Sequence, residues 1–190
     1  MPDKKLLLIH PPFSMPDKPY ISTAVLYSHL KDQGVDVSVL DLNLEFYREH
    51  LSPDAIKSAL EFMDERFHDL DHRHSLDSLE IQEYLKLVHL KKRLAAGEAP
   101  PFHLLFQNCD LGNVEQFMLF GLAVEIVNTR YFPDSLEFLV STGYIRHKSR
   151  FSKFSSHDIL QSLEKPSLYS SAIQKIITGH VGGQQPLMVG

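Results

Sequence analysis

The chain has 190 residues, 43% hydrophobic and 23% charged, enough for one compact domain or a domain with a large insertion around its own core. Nineteen Lys and Arg against twenty-four Asp and Glu leave a net charge of −5, which argues against a nucleic-acid binder that needs a basic face for phosphates. One cysteine, Cys109, excludes an intrachain disulfide, a four-cysteine zinc site and an iron–sulfur cluster held by this chain, and points to a cytoplasmic protein.

Lys5 to His10 is a short, nearly continuous apolar run stopped by Pro11-Pro12. It is too short for a signal peptide core and reads as a strand buried on both faces, as in a parallel sheet. Four prolines between residues 11 and 20 predict a stiff, non-helical loop. Ser22 or Thr23 then caps a helix carrying Ala24, Val25 and Leu30, and Gly34 closes it as a left-handed cap. Val35, Val37, Val39 and Leu40 make a second strand that ends at Asp41-Leu42-Asn43. Strand, crossover helix and second strand form a right-handed βαβ unit.

Beyond residue 44 the pattern turns helical. Ser52-Pro53-Asp54 is a helix start, followed by Ile56, Ala59, Leu60, Met63 and Phe67 on one face. A second helix spans about Ser75 to Gly97, with Ile81, Tyr84, Leu85 and Val88 as its apolar side, and Pro100-Pro101 breaks it. Asn113 with Gln116 opens a helix to Val127 that is apolar nearly all round and therefore central. Further helices are predicted from Pro133, from Ser155 with Asp158, and from Pro166 to Gly179. Leu187-Met188-Val189 reads as the start of a third buried strand, and such a truncated strand suggests a fragment of a longer protein. The expected fold is therefore α/β and helix-rich. A short parallel Rossmann-like sheet of two strands plus a truncated third occupies residues 1–44 and 181–190, and a large helical insertion occupies residues 45–180.

Few constellations carry chemistry. The first strand runs into prolines, so neither G-x-G-x-x-G nor a Walker loop is present, and there is no G-x-S-x-G or H-E-x-x-H. Cys109 reads as a structural thiol rather than a nucleophile. His68 and His72 are one helical turn apart with His74 nearby, a spacing that can bind zinc, but eight acids and two arginines between Glu61 and Glu83 favour a polar helix end, and no metal site is assigned. The basic stretch Arg146, His147, Lys148, Arg150 and Lys153, with Tyr144, Phe151 and Phe154 interleaved, imitates a single-strand nucleic-acid platform but reads better as a solvated face. His10, Asp41 and Asn43 stand at the carboxyl ends of the first two strands, where open parallel sheets bind ligands; Asp41 or Asn43 as a simple cap on the following helix is the competing reading.

Leu7-Leu8-Ile9-His10-Pro11-Pro12, Pro19-Tyr20-Ile21-Ser22-Thr23-Ala24-Val25-Leu26, Leu30-Lys31-Asp32-Gln33-Gly34, Val37-Ser38-Val39 and Asp41-Leu42-Asn43 resemble the N-terminal cobalamin-binding domain of radical S-adenosylmethionine enzymes. Phe46-Tyr47-Arg48-Glu49-His50-Leu51-Ser52-Pro53 is similar to a subset of that family in which a helical insertion follows, and Pro186 to Gly190 fits its third strand. Tyr20 and Ser22 stand where the family has Pro and Gly, and the cysteine triplet of the cluster is missing.

The resemblance implies a cobalamin-binding part of a methyltransferase or related radical enzyme. Such a part is not catalytic alone, and its partner is the radical domain in the rest of its own polypeptide. It implies cofactor contacts from His10, Pro11, Pro12, Phe13, Tyr20, Ser22, Asp41 and Asn43, with S-adenosylmethionine and the iron–sulfur cluster bound outside this chain. No nucleic-acid or membrane partner is expected. The alternatives are a non-catalytic protein-interaction domain built on the helical insertion and a small Rossmann-like transferase lobe.

Overall fold

Lys5–His10 forms the first strand, β1, and Asp36–Asp41 the second, β2, running parallel in a register that pairs Lys5 with Asp36 and His10 with Asp41. The computed structural model describes residues 5–11, 21–98, 113–133, 135–141, 144–152, 154–164, 168–181 and 188–189. Between the strands lies α1, Ile21–Asp32, so Ser22 and Thr23 sit inside its first turn rather than ahead of it as a cap. Gly34, at φ 73°, ends this connection as expected: its N–H donates to Lys31 O at 2.9 Å and that of Val35 to Leu30 O at 3.0 Å, the paired bonds of a Schellman cap. Met188–Val189, labelled β5, lies parallel to Leu6 and Leu7 on the other side of β1, giving the order β2-β1-β5.

Leu42–His50 is α2, starting directly from the end of β2. The chain divides into two units, residues 1–48 with 168–190, and residues 49–167. In the first unit, α7 (Leu168–Val181) sets Ile173, Ile176 and Ile177 against Leu7, Ile9, Leu40 and Leu42. Side chains alternate across a sheet, so Leu7, Ile9 and Leu40 form one apolar face and leave His10 and Asp41 together on the other. The bounds read from the sequence put this helix in the insertion; the structure packs it on the sheet.

The second unit is built on α3 (Pro53–Asp71), α4 (Ser78–Arg93) and α5 (Val114–Asn128). Ser52 caps α3 by accepting from Ala55 N–H at 3.2 Å, and Asn113 caps α5 by accepting from Glu115 N–H at 2.9 Å, both as the sequence predicts. The α3 stripe of Ile56, Ala59 and Met63 is buried, and α5 buries Leu119, Phe120, Leu122, Ala123, Val124, Ile126 and Val127, the central position foreseen for it.

The packing of α4 and one expectation that fails both concern this unit. α4 turns Glu83, Leu87 and Leu90 inward and leaves Ile81 and Leu85 exposed, because the Arg66 fork on α3 takes the Glu83 carboxylate at 3.1 and 2.8 Å. The helix expected from Pro133 is instead an antiparallel hairpin of β3 (Ser135–Ser141) and β4 (Tyr144–Ser149), so the insertion is not wholly helical. β-branched and aromatic residues on both sides of Thr142-Gly143 favour strands over helix. α6 (Ser156–Glu164) follows, its Ser155 Oγ accepting from Asp158 N–H at 3.2 Å while Asp158 accepts from Ser152 N–H at 3.0 Å.

Candidate functional site at the strand carboxyl ends

β1 and β2 finish side by side at His10 and Asp41, residues that are register partners on the same sheet face. His10 is only 4% exposed although it is a polar side chain at a strand end, and Pro11 just after it is exposed. The chain leaving β2 turns at once into α2, and Asp41 Oδ1 accepts from Leu44 N–H at 2.9 Å. Asp41 therefore does cap the following helix, the plainer of its two readings. A carboxylate has about four acceptor positions, so this bond leaves capacity for a further donor.

Asn43 is buried in the first turn of α2. Tyr47 stands four residues on, on the same helix face, and is buried with it. Loss of water around the phenol pushes the Tyr47 pKa well above its ordinary value of 10.0, so it stays a neutral hydroxyl at every physiological pH. Its ring packs edge-on to Phe46 with centroids 5.7 Å apart. The sequence reading assigned Tyr47 no role; its i, i+4 spacing from Asn43 was the available signal.

The structure thus brings His10, Pro11, Asp41 and Asn43 to the carboxyl end of the sheet, and Tyr47 is buried one turn further along α2. Ser22 lies exposed in the first turn of α1. Pro12, Phe13 and Tyr20 lie outside the described residues, as does Cys109. In chemical terms the strand ends carry an imidazole, a carboxylate and an amide. Among the described residues the set has no Lys or Arg, and it suits hydrogen bonding to a polar, uncharged ligand rim.

The other constellations resolve differently. The rings of His68 and His72 lie 4.1 Å apart, but His72 Nδ1–H donates to the His68 carbonyl at 2.8 Å, which commits one imidazole nitrogen to the end of α3. Among the described residues no group of three or more His, Cys, Asp or Glu is arranged to hold a metal ion. In the basic stretch, Lys148 is the register partner of Glu137, and the Arg150 guanidinium lies 4.8 Å from the Phe151 ring centre. A surface concavity of about 520 Å³ lies along α7 beside Gln174, Lys175, Thr178 and Gly179 and is lined by none of the strand-end residues. No described helix is long and apolar enough to cross a membrane. Compared with protein-family models, curated proteins and solved structures, the chain matches none of them.

Proposed function

We propose that the unit of residues 1–48 and 168–190 is the opening part of a Rossmann-like, cobalamin-binding domain of a cytoplasmic radical S-adenosylmethionine enzyme, a methyltransferase or a related radical enzyme. It is not catalytic alone. Its partner is the radical domain of the same polypeptide, which would hold the S-adenosylmethionine and the iron–sulfur cluster that one cysteine cannot.

The observation that carries this reading is the parallel order β2-β1-β5 with His10 and Asp41 in register at its carboxyl end. α1 leads from β1 to one neighbour and α7 leads toward the other, so the direction of winding reverses beside β1. With right-handed crossovers the two helices fall on opposite faces, and a crevice opens at the carboxyl end where ligands bind such sheets. The sequence Leu7 to Asn43 names the ligand by its resemblance.

The residues present fit one rim of a corrin. Its periphery carries amide side chains, for which the His10 imidazole, the Asp41 carboxylate and the Asn43 amide are suitable partners, with the Tyr47 hydroxyl one turn behind Asn43. When bound, cobalamin supplies a carrier for a methyl group. This chain's own residues hold and orient it and exclude water from one side.

A rim on one side gives weak affinity, because lost translational freedom alone costs at least ~4 kcal/mol. Titration of the chain with hydroxocobalamin, followed by absorbance, is expected to give a dissociation constant on the order of 1 mM. His10→Ala and Asp41→Ala should each weaken it at least about threefold, the loss of one hydrogen bond. Absence of binding at millimolar cofactor, or equal binding by both variants, would count against the reading.

A further inference from the structure

α4 carries two apolar sides and buries one of them. Glu83, Leu87 and Leu90 are buried, whereas Ile81 and Leu85 are 45% and 61% exposed. At about 100° per residue, Ile81, Leu85 and Val88 fall in one stripe on the side opposite Glu83, Leu87 and Leu90. The rotation of α4 is fixed by bonds along its whole length. Arg66 forks onto Glu83, Tyr84 Oη donates to Asp71 at 2.7 Å, Lys91 pairs with Asp64, and Arg93 donates to Glu125 at 2.9 Å. The outward stripe cannot turn inward without breaking them.

The stripe also has charged ends of opposite sign. Asp77 is exposed at the N-terminal end, its caps to Leu79 and Glu80 N–H both made through Oδ1, and Lys92 is exposed at the C-terminal end. Setting Ile81 against Val88 of an antiparallel copy brings Asp77 to Lys92, Glu80 to His89 and Leu85 to Tyr84, twice over by two-fold symmetry. A parallel arrangement would set Asp77 against Asp77 and Lys92 against Lys92. The antiparallel one also opposes the helix dipoles favourably.

We propose that this stripe is a self-association surface, with α4 of one chain packing antiparallel on α4 of a second copy. The surface belongs to the unit of residues 49–167 and is independent of the cofactor reading. A sixteen-residue helix is ~24 Å long and covers less than the ~800 Å² per partner of a stable complex, so the dimer is a weak one, populated by mass action.

Sedimentation equilibrium of the whole chain tests it. The average mass should rise toward twice 21.7 kDa as concentration passes on the order of 100 μM. Leu85→Arg, exposed and so without a folding role, should remain monomeric with unchanged circular dichroism, and Lys92→Glu should raise the dissociation constant about three- to tenfold. In a Cys109→Ser background, oxidised Leu85→Cys should form a disulfide-linked dimer. Ile81→Cys should not, because the two copies of that position stand ~10 Å apart along the helix axis, beyond disulfide reach. A chain that stays monomeric throughout, a dimer that Leu85→Arg leaves intact, or equal cross-linking at both positions would each overturn the proposal.

Discussion

Arg66→Ala should be among the most damaging changes to a charged side chain in the unit of residues 49–167. Arg66 on α3 donates Nε–H and Nη2–H to the two oxygens of Glu83 on α4 at 3.1 and 2.8 Å, and the two side chains are 26% and 8% exposed. Unit charges ~4 Å apart attract by ~4 kcal/mol at an effective dielectric constant near 20, but the desolvation of both groups offsets much of that. Removing the arginine removes the attraction and leaves the cost of a buried carboxylate. Breaking a buried pair in this way costs ~3–5 kcal/mol, and the partial exposure of Arg66 places the change at the low end, about 3 kcal/mol. For a unit of this size that is a fall of roughly 10 °C in melting temperature.

Replacing both partners, as Arg66→Met with Glu83→Leu, should return stability to within ~1 kcal/mol of the parent. Arg48, paired with Glu45 through side chains 75% and 40% exposed, is the control, and Arg48→Ala should cost ~0–1 kcal/mol. Urea titration of the four proteins decides the matter. A loss below ~1 kcal/mol for Arg66→Ala, or a double variant as unstable as the single one, would refute the reasoning.

Three further outcomes are expected. Arg73 and Arg66 hold the Asp69 carboxyl below its usual value of 3.8, a lowered folded-state pKa, so its contribution is present above pH 3.8 and is lost as pH falls through the folded value. Thermal melts of the parent and Asp69→Asn should therefore differ at pH 6 and draw together only as the pH falls below 3.8 through the folded value, and a difference unchanged at the acid limit would contradict this. Gly34→Ala should lose ~1 kcal/mol in denaturant titration through its positive φ alone, since a Cβ there meets nothing within 4 Å; no loss would show that the turn relaxes. Ser135 Oγ donates to Asn128 Oδ1 at 2.7 Å where both residues are buried, so Ser135→Ala should cost ~1–3 kcal/mol, and a neutral effect would mean that solvent reaches the pair.

The elements written in local signals were legible in the sequence. The apolar run to His10, the Gly34 cap, the Ser52-Pro53 start, the Asn113 cap and the Ser155–Asp158 pair each involve residues no more than a few positions apart. What was not legible depends on distant partners. The inward face of α4 is set by Glu83, which only Arg66, seventeen residues earlier, makes compatible with burial. A charged residue and two leucines then occupy the core side, while Ile81 and Leu85, the obvious apolar pair, are left outside. The β3–β4 hairpin was obscured by reading Pro133 as a helix start, although the Phe138-Leu139-Val140 and Tyr144-Ile145 runs carry strand preference.

At the candidate site, His10 and Asp41 were legible because a strand end is a local feature. That Tyr47 lies buried behind Asn43 was not, since tertiary burial decides the state of a phenol. α7 packs on the sheet through Ile173, Ile176 and Ile177, more than a hundred residues from Leu40 in the chain.

The most direct test of the cofactor face is the map of backbone amide shifts in the isotope-labelled chain on adding hydroxocobalamin. The changes are expected to concentrate at His10 and residues 41–47, to grow without saturating through the sub-millimolar range, and to shrink by about threefold at equal cofactor in Asp41→Ala. Changes confined to α3 and α4, or none at millimolar cofactor, would contradict this expectation.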